Sequence, residues 1–159
     1  MRSSMSAEPH GFFLEDISVG QTWTSPGLTV TEESIISFAF TWDPQPFHLD
    51  KVASGQSVFG DLVASGLQTL MLSYRLYYDL GLLRGTALAG LGMDEIRFLS
   101  PLRPGDTIKV AVTVMEARPT SKPDRGVARL RLQTCDQSCR PILSFILSAL
   151  IARRRAVSS

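Results

Sequence analysis

Histidine and cysteine are scarce in this 159-residue chain, and their scarcity removes several kinds of chemistry at the outset. Cys135 and Cys139 have no further Cys or His nearby to complete a tetrahedral set, so neither a structural zinc nor any other metal site is expected. They read as two ordinary thiols in a reducing compartment, the alternative being a local disulfide across the turn that separates them. Of the two histidines, His10 falls in a polar N-terminal stretch, which leaves His48 to supply any imidazole acid-base chemistry. Long apolar runs are also missing. Nothing approaches the roughly 20 residues that span a bilayer, and the start of the chain has no apolar signal core. A soluble, cytoplasmic protein without a membrane partner is expected. Neither sign of charge is in excess: 16 Lys and Arg face 15 Asp and Glu, so no overall field recruits nucleic acid.

What is present suits one hydrophobic core: 44% of residues are hydrophobic, which at this length predicts a single domain over 11–155 behind a flexible tail of residues 1–10. Phe12 to Gly20 forms an apolar anchor that ends in a turn, and the β-branched and aromatic content from Thr22 to Val30 predicts strand. Thr31 followed by Glu32 and Glu33 is a helix start, with Ile35, Ile36, Phe38 and Ala39 as its apolar face. From Leu62 to Leu80 apolar residues recur at spacings of three and four around much of the circumference, predicting a long helix enclosed by the rest of the fold. Strands are expected over 86–98, 106–117, 126–134 and 142–153, with a longer mobile loop at 118–126. The resulting class is α+β, an antiparallel sheet wrapped around a buried helix.

Two stretches could carry chemistry. Asp43 and His48 stand five positions apart, and Pro44 and Pro46 between them prevent a regular helix and push Asp43 and Gln45 toward extended backbone. A stiff loop aims an acid and an imidazole before their pKa values matter. A structural hydrogen-bonding role for His48 stays open, and Asp50 is either a competing acid or a cap for the next turn. The second stretch is Gly60 to Leu67 at the head of the long helix, where unpaired N–H groups and a glycine allow an anionic ligand to approach. Its alternative is tight packing of the helix against the sheet at Ser65 and Gly66. Phe40, Trp42, Phe47, Tyr74 and Tyr78 are either core or pocket lining. Arg97, Arg103 and the run Arg153 to Arg155 are either solvated charge or phosphate contacts.

At these residues the chain resembles the MaoC-like dehydratases and R-specific enoyl-CoA hydratases, whose motif reads approximately Gly-Asp-x-Asn-Pro-aliphatic-His-x5-Ala/Ser. Asp43, Pro46, His48 and Ser54 match it, whereas Trp42, Gln45 and Phe47 depart from it. Further likeness runs through Phe12 to Gly20, Leu62 to Gly66 and Ile96 to Asp106. The resemblance implies a hot-dog fold, a curled antiparallel sheet around a long central helix, assembled as a homodimer or higher homo-oligomer. It also implies hydration of a trans-2-enoyl-CoA, or the reverse dehydration of a 3-hydroxyacyl-CoA. Asp43 and His48 would be the catalytic pair and the Gly66 N–H the oxyanion donor, with Ser65, Phe47 and Trp42 contacting the acyl-CoA substrate. No cofactor would be needed beyond the coenzyme A of the substrate. The alternatives are a non-catalytic acyl-thioester-binding subunit and a hot-dog thioesterase.

Overall fold

Alternation of Ile108, Val110, Val112 and Val114 with more polar neighbours gives a strand one face of which is fully buried. That strand, β4 (Thr107–Pro119), is an interior strand of the sheet in a computed structural model that describes residues 10–154. Residues 1–9 of the expected tail and residue 155 lie outside the described residues. In chain order the other strands are β1 (Thr22–Thr24), β2 (Leu28–Thr29), β3 (Ala87–Phe98), β5 (Arg125–Cys135) and β6 (Pro141–Ala152). The sheet runs β1-β4-β5-β6-β3, with β2 on another part of β4, and these strands pair antiparallel. β1 and β2 divide the single strand expected over Thr22 to Val30. Between them Ser25 bonds to both backbone groups of Val110, its N–H to the carbonyl and its Oγ to the N–H, each at 2.9 Å.

The helices are α1 (Glu32–Trp42), α2 (Pro46–Leu49), α3 (Lys51–Gly55) and α4 (Gly66–Asp79). Thr31 caps α1 through Ser34 N–H, as its position before two acids predicts. Helix α4 lies on the inner face of β4 and β5, with Leu70, Leu76 and Tyr77 buried against Leu130, Leu132, Leu143 and Phe145. Ser73 of α4 bonds to Thr134 of β5 at 2.7 Å, so these two hydroxyls do not sit unpaired in the core.

Three expectations need correction. The long helix begins at Gly66, not Leu62, because residues 62–65 are non-helical and use their backbone elsewhere: Val63 N–H bonds to Phe47 O and Ala64 N–H to Leu102 O. Nor is the helix enclosed on all sides by its own chain. Leu67, Met71, Tyr74 and Tyr78, at helical spacing, form an exposed stripe, and Tyr74 and Tyr78 are neither core nor cavity lining. The loop expected at 118–126 shrinks to 120–124, where Thr120 Oγ1 accepts from Lys122 N–H and donates to Arg125 O. No helix among the described residues is long and apolar enough to cross a membrane.

Candidate active site

Pro44 stops α1 one residue early enough to free Asp43. The Asp43 N–H still closes the last turn on Ala39 O at 3.0 Å, but its φ and ψ of −150° and 73° turn the carboxylate out of the helix. Gln45 is extended at −75° and 141°, as a residue before proline should be. Pro46, however, does not block a helix. It starts one, at a position where its missing N–H costs nothing, so His48 sits on the helical turn α2 instead of on an irregular loop. Asp50 ends that turn and caps the next, its Oδ1 accepting from Val52 and Ala53 N–H at 2.8 and 3.1 Å. The capping alternative is therefore the one observed.

His48 is buried, at 5% exposure, and its Nδ1 lies 2.6 Å from Val63 O. A carbonyl can only accept, so Nδ1 carries a proton and Nε2 is the atom left for chemistry. Nε2 faces Asp43 Oδ2 at 3.4 Å, longer than a direct N–H···O hydrogen bond and close enough for one small group to touch both. Phe47 stands edge-on to the imidazole with ring centres 4.5 Å apart, and Phe59 packs behind Phe47 at 5.4 Å. The ring is thus held by the buttressed Phe47 ring and by one hydrogen bond.

The carboxylate is held as firmly. Ser65 Oγ donates to Asp43 Oδ2 at 2.6 Å, and Gln45 Nε2 donates to Oδ1 at 2.8 Å. The Ser65 hydrogen bond does most to keep the Asp43 carboxyl below the ordinary carboxylate range. Burial pushes the other way, and the Gln45 amide and the neighbouring His48 imidazole add to the lowering. Asp43 is therefore ionised at neutral pH. Ser65 also caps α4, accepting from Leu67 N–H at 3.2 Å, so one hydroxyl fixes the base and the helix start together. Gly66 is the first helical residue, and its N–H has no intrahelical acceptor.

These groups converge on a cavity of about 540 Å³ lined by Asp43, His48, Ser65 and Gly66, with Phe47, Phe98, Leu99 and Leu102 among its apolar walls. The structure does not bring Trp42 there. It is the last residue of α1, 70% exposed and absent from the lining. Phe40 is likewise exposed and outside. The arginines also lie apart from the cavity: Arg103 is tied to Phe59 O at 2.8 Å, Arg153 to Glu15 and Arg154 to Asp16, while Arg155 lies outside the described residues. Arg97 joins Arg131 in a second cleft of about 230 Å³. The residue that sequence reasoning missed is Gln45. It stands out only as a departure from a motif, and its hydrogen bond to Asp43 depends on the pre-proline geometry.

The MaoC-like domain model matches residues 17–134, which include every residue of this cluster. The chain is 30% identical over 140 residues to the uncharacterised YdeM of Bacillus subtilis, covering 88% of this chain and 99% of that one. It is 30% identical over 131 residues to the 3-hydroxybutyryl-CoA dehydratase of Methylorubrum extorquens, covering 79% and 76%. Among solved structures, the MaoC-like dehydratase from Rhodospirillum rubrum superposes with a TM-score of 0.85 at 36% identity, covering 92% of this chain and all of that one. The fold is accordingly the hot-dog fold, an antiparallel sheet around a long helix, and the chain belongs to the MaoC-like hydratase and dehydratase family.

Proposed function

We propose that the protein interconverts a trans-2-enoyl-CoA and a 3-hydroxyacyl-CoA, with Asp43 and His48 as its acid-base pair. The observation that carries this reading is the arrangement of one ionised carboxylate and one imidazole nitrogen 3.4 Å apart beside the free N–H of a helix start. In the hydration direction Asp43 takes a proton from water as the water oxygen bonds to C3. The displaced π electrons move through C2 to the thioester oxygen, where the Gly66 N–H accommodates the negative charge. The enolate then collapses as the proton taken from water, passed from Asp43 to His48 Nε2 across the gap, is delivered to C2, so the sum is one water added across the double bond. Asp43 is again ionised and His48 again carries its proton at Nδ1 alone. The test is a panel of enoyl-CoA substrates: loss of conjugated-enoyl absorbance without thiol release is expected. Thiol release would instead mean hydrolysis, and binding without turnover a non-catalytic subunit.

The Ser65 hydroxyl is central to the base. Since it lowers the Asp43 pKa, Ser65→Ala should raise that pKa toward the ordinary value and move the acidic limb of the kcat/KM profile to higher pH. An acidic limb that stays in place would separate Ser65 from the base.

The same reading takes the active form to be a homodimer. Among the described residues strand β3 is a sheet edge bonded only to β6, with Leu88 and Leu91 exposed, and the stripe on α4 adds Met71, Tyr74 and Tyr78. An apolar edge strand and an apolar helix face on one molecule ask for a partner, and the same chain supplies one by two-fold symmetry. Met71→Asp with Leu91→Asp is expected to convert the dimer to monomer in size-exclusion chromatography with light scattering. A wild-type monomer would contradict the assembly.

A further inference from the structure

We propose that Phe98 sets the selectivity of the cavity at C2 of the acyl chain, favouring chains that carry only hydrogen there. The proposal rests on the hydration reading of the same site. A Cβ built on Gly66 would lie 2.7 Å from Cε1, 2.8 Å from Cζ and 3.0 Å from Cδ1 of Phe98, so the ring is pressed against the Gly66 backbone and position 66 admits no side chain while the ring stays there. The core does not hold the ring in place, because Phe98 is 58% exposed. Its backbone, by contrast, is fixed: Phe98 pairs with Leu143 at the end of β3, and the next two N–H groups both bond to Ile142 O, at 2.8 and 3.3 Å. A firmly mounted, little-buried aromatic laid over a helix start contributes more to the shape of the cavity than to the core.

The chemistry locates what the ring touches. A thioester oxygen accepting from Gly66 N–H sits about 2.9 Å from that nitrogen. The atoms two bonds from the oxygen are the sulfur and C2. Asp43 and His48 require C2 and C3 to lie on their side of the cavity, so the ring over Gly66 borders the substituent on C2. Extension of the chain beyond C4 leads away from it. The excluded class is therefore the C2-branched enoyl thioester, not the long one.

The test compares wild type with Phe98→Ala and Phe98→Leu, both checked for folding by thermal melting. The ratio of kcat/KM for 2-butenoyl-CoA over 2-methyl-2-butenoyl-CoA is expected to fall by about 10-fold or more in Phe98→Ala, the scale on which a pocket senses one methylene, and by less in Phe98→Leu. The ratio of 2-octenoyl-CoA to 2-butenoyl-CoA should not move. An unchanged branched-chain ratio, or an equal gain for the long chain, would overturn the proposal. Calorimetry with butanoyl-CoA and its isomer 2-methylpropanoyl-CoA supplies a readout without chemistry. Their Kd ratio should narrow in Phe98→Ala, and a ratio that stays fixed, or no binding of either, overturns the proposal whatever reaction the site performs. Absence of hydration by wild type, with the Kd ratio narrowing as stated, would count against the hydration reading alone. In a double-mutant cycle, Gly66→Ala with Phe98→Ala should lose less activity than the product of the two single losses. Multiplicative losses would deny the contact between them.

Discussion

Asp43→Asn is expected to lower kcat for enoyl-CoA hydration by about 10²- to 10⁴-fold, the usual contribution of a positioned acid or base, while the protein stays folded. Asn preserves the shape of the carboxylate, and the Ser65 hydroxyl and Gln45 amide that grip its oxygens at 2.6 and 2.8 Å can each turn to match an amide. What is lost is the ability to take a proton. Substrate binding should change far less, because in the proposed reaction Gly66 holds the thioester oxygen and the apolar walls hold the acyl chain, so the loss falls on kcat more than on KM. The change also carries a pH signature in stability. Folding depresses the Asp43 pKa, so its ionised form contributes stability above the unfolded value that is lost as pH falls through the folded one. In the Asn variant that part of the acid dependence disappears. Near wild-type turnover by a folded Asp43→Asn protein would remove Asp43 from the mechanism.

The second large effect is at His48, where two substitutions separate chemistry from architecture. His48→Ala removes Nε2 and also leaves the buried Val63 carbonyl without the donor now 2.6 Å away, so activity should collapse and stability should fall by about 1–3 kcal/mol, the cost of stranding a buried acceptor. His48→Asn carries an N–H near the place of Nδ1 and has nothing in the place of Nε2. It is expected to recover most of the stability, read by denaturant titration, and none of the activity, with kcat down by about 10²-fold or more. Recovery of activity in the Asn variant would assign His48 a structural role, the alternative that its position in the sequence alone leaves open.

The parts of this site that are legible in the sequence share one property: their cause is local. Two prolines within five residues force Asp43 and Gln45 out of helical geometry whatever surrounds them, and the structure has both where that rule places them. The Thr31 cap and the alternation along β4 are local in the same sense. The start of α4 is not. Apolar periodicity runs unbroken from Leu62, yet Val63 and Ala64 give their N–H groups to Phe47 and Leu102, and Val63 gives its carbonyl to His48. The four extra residues of helix expected there would have used the backbone that holds the imidazole. Periodicity could not reveal this, because it reports which residues are apolar and not what they bond to.

The same limit explains the exposed stripe on α4 and the fate of Trp42. Leu67, Met71, Tyr74 and Tyr78 satisfy the pattern of a buried helix, and no pattern within one chain says whether the cover comes from that chain or from a second copy. Trp42 adjoins Asp43 in sequence, but it ends α1 on the face turned away from the cavity, because a helix and the extended residue after it need not share a direction. Gln45 shows the converse. As a departure from the family motif it reads as an alteration near the site, and in three dimensions it is the second donor on the Asp43 carboxylate.

The most direct test of the central claim is to run the reaction on 2-butenoyl-CoA in deuterated, ¹⁸O-enriched water and analyse the products by mass spectrometry and NMR. Hydration through Asp43, His48 and Gly66 predicts 3-hydroxybutanoyl-CoA with one deuterium at C2 and solvent oxygen at C3, no free coenzyme A, and the product abolished in Asp43→Asn. Solvent oxygen in a released 2-butenoic acid, or an untouched enoyl thioester, would contradict it.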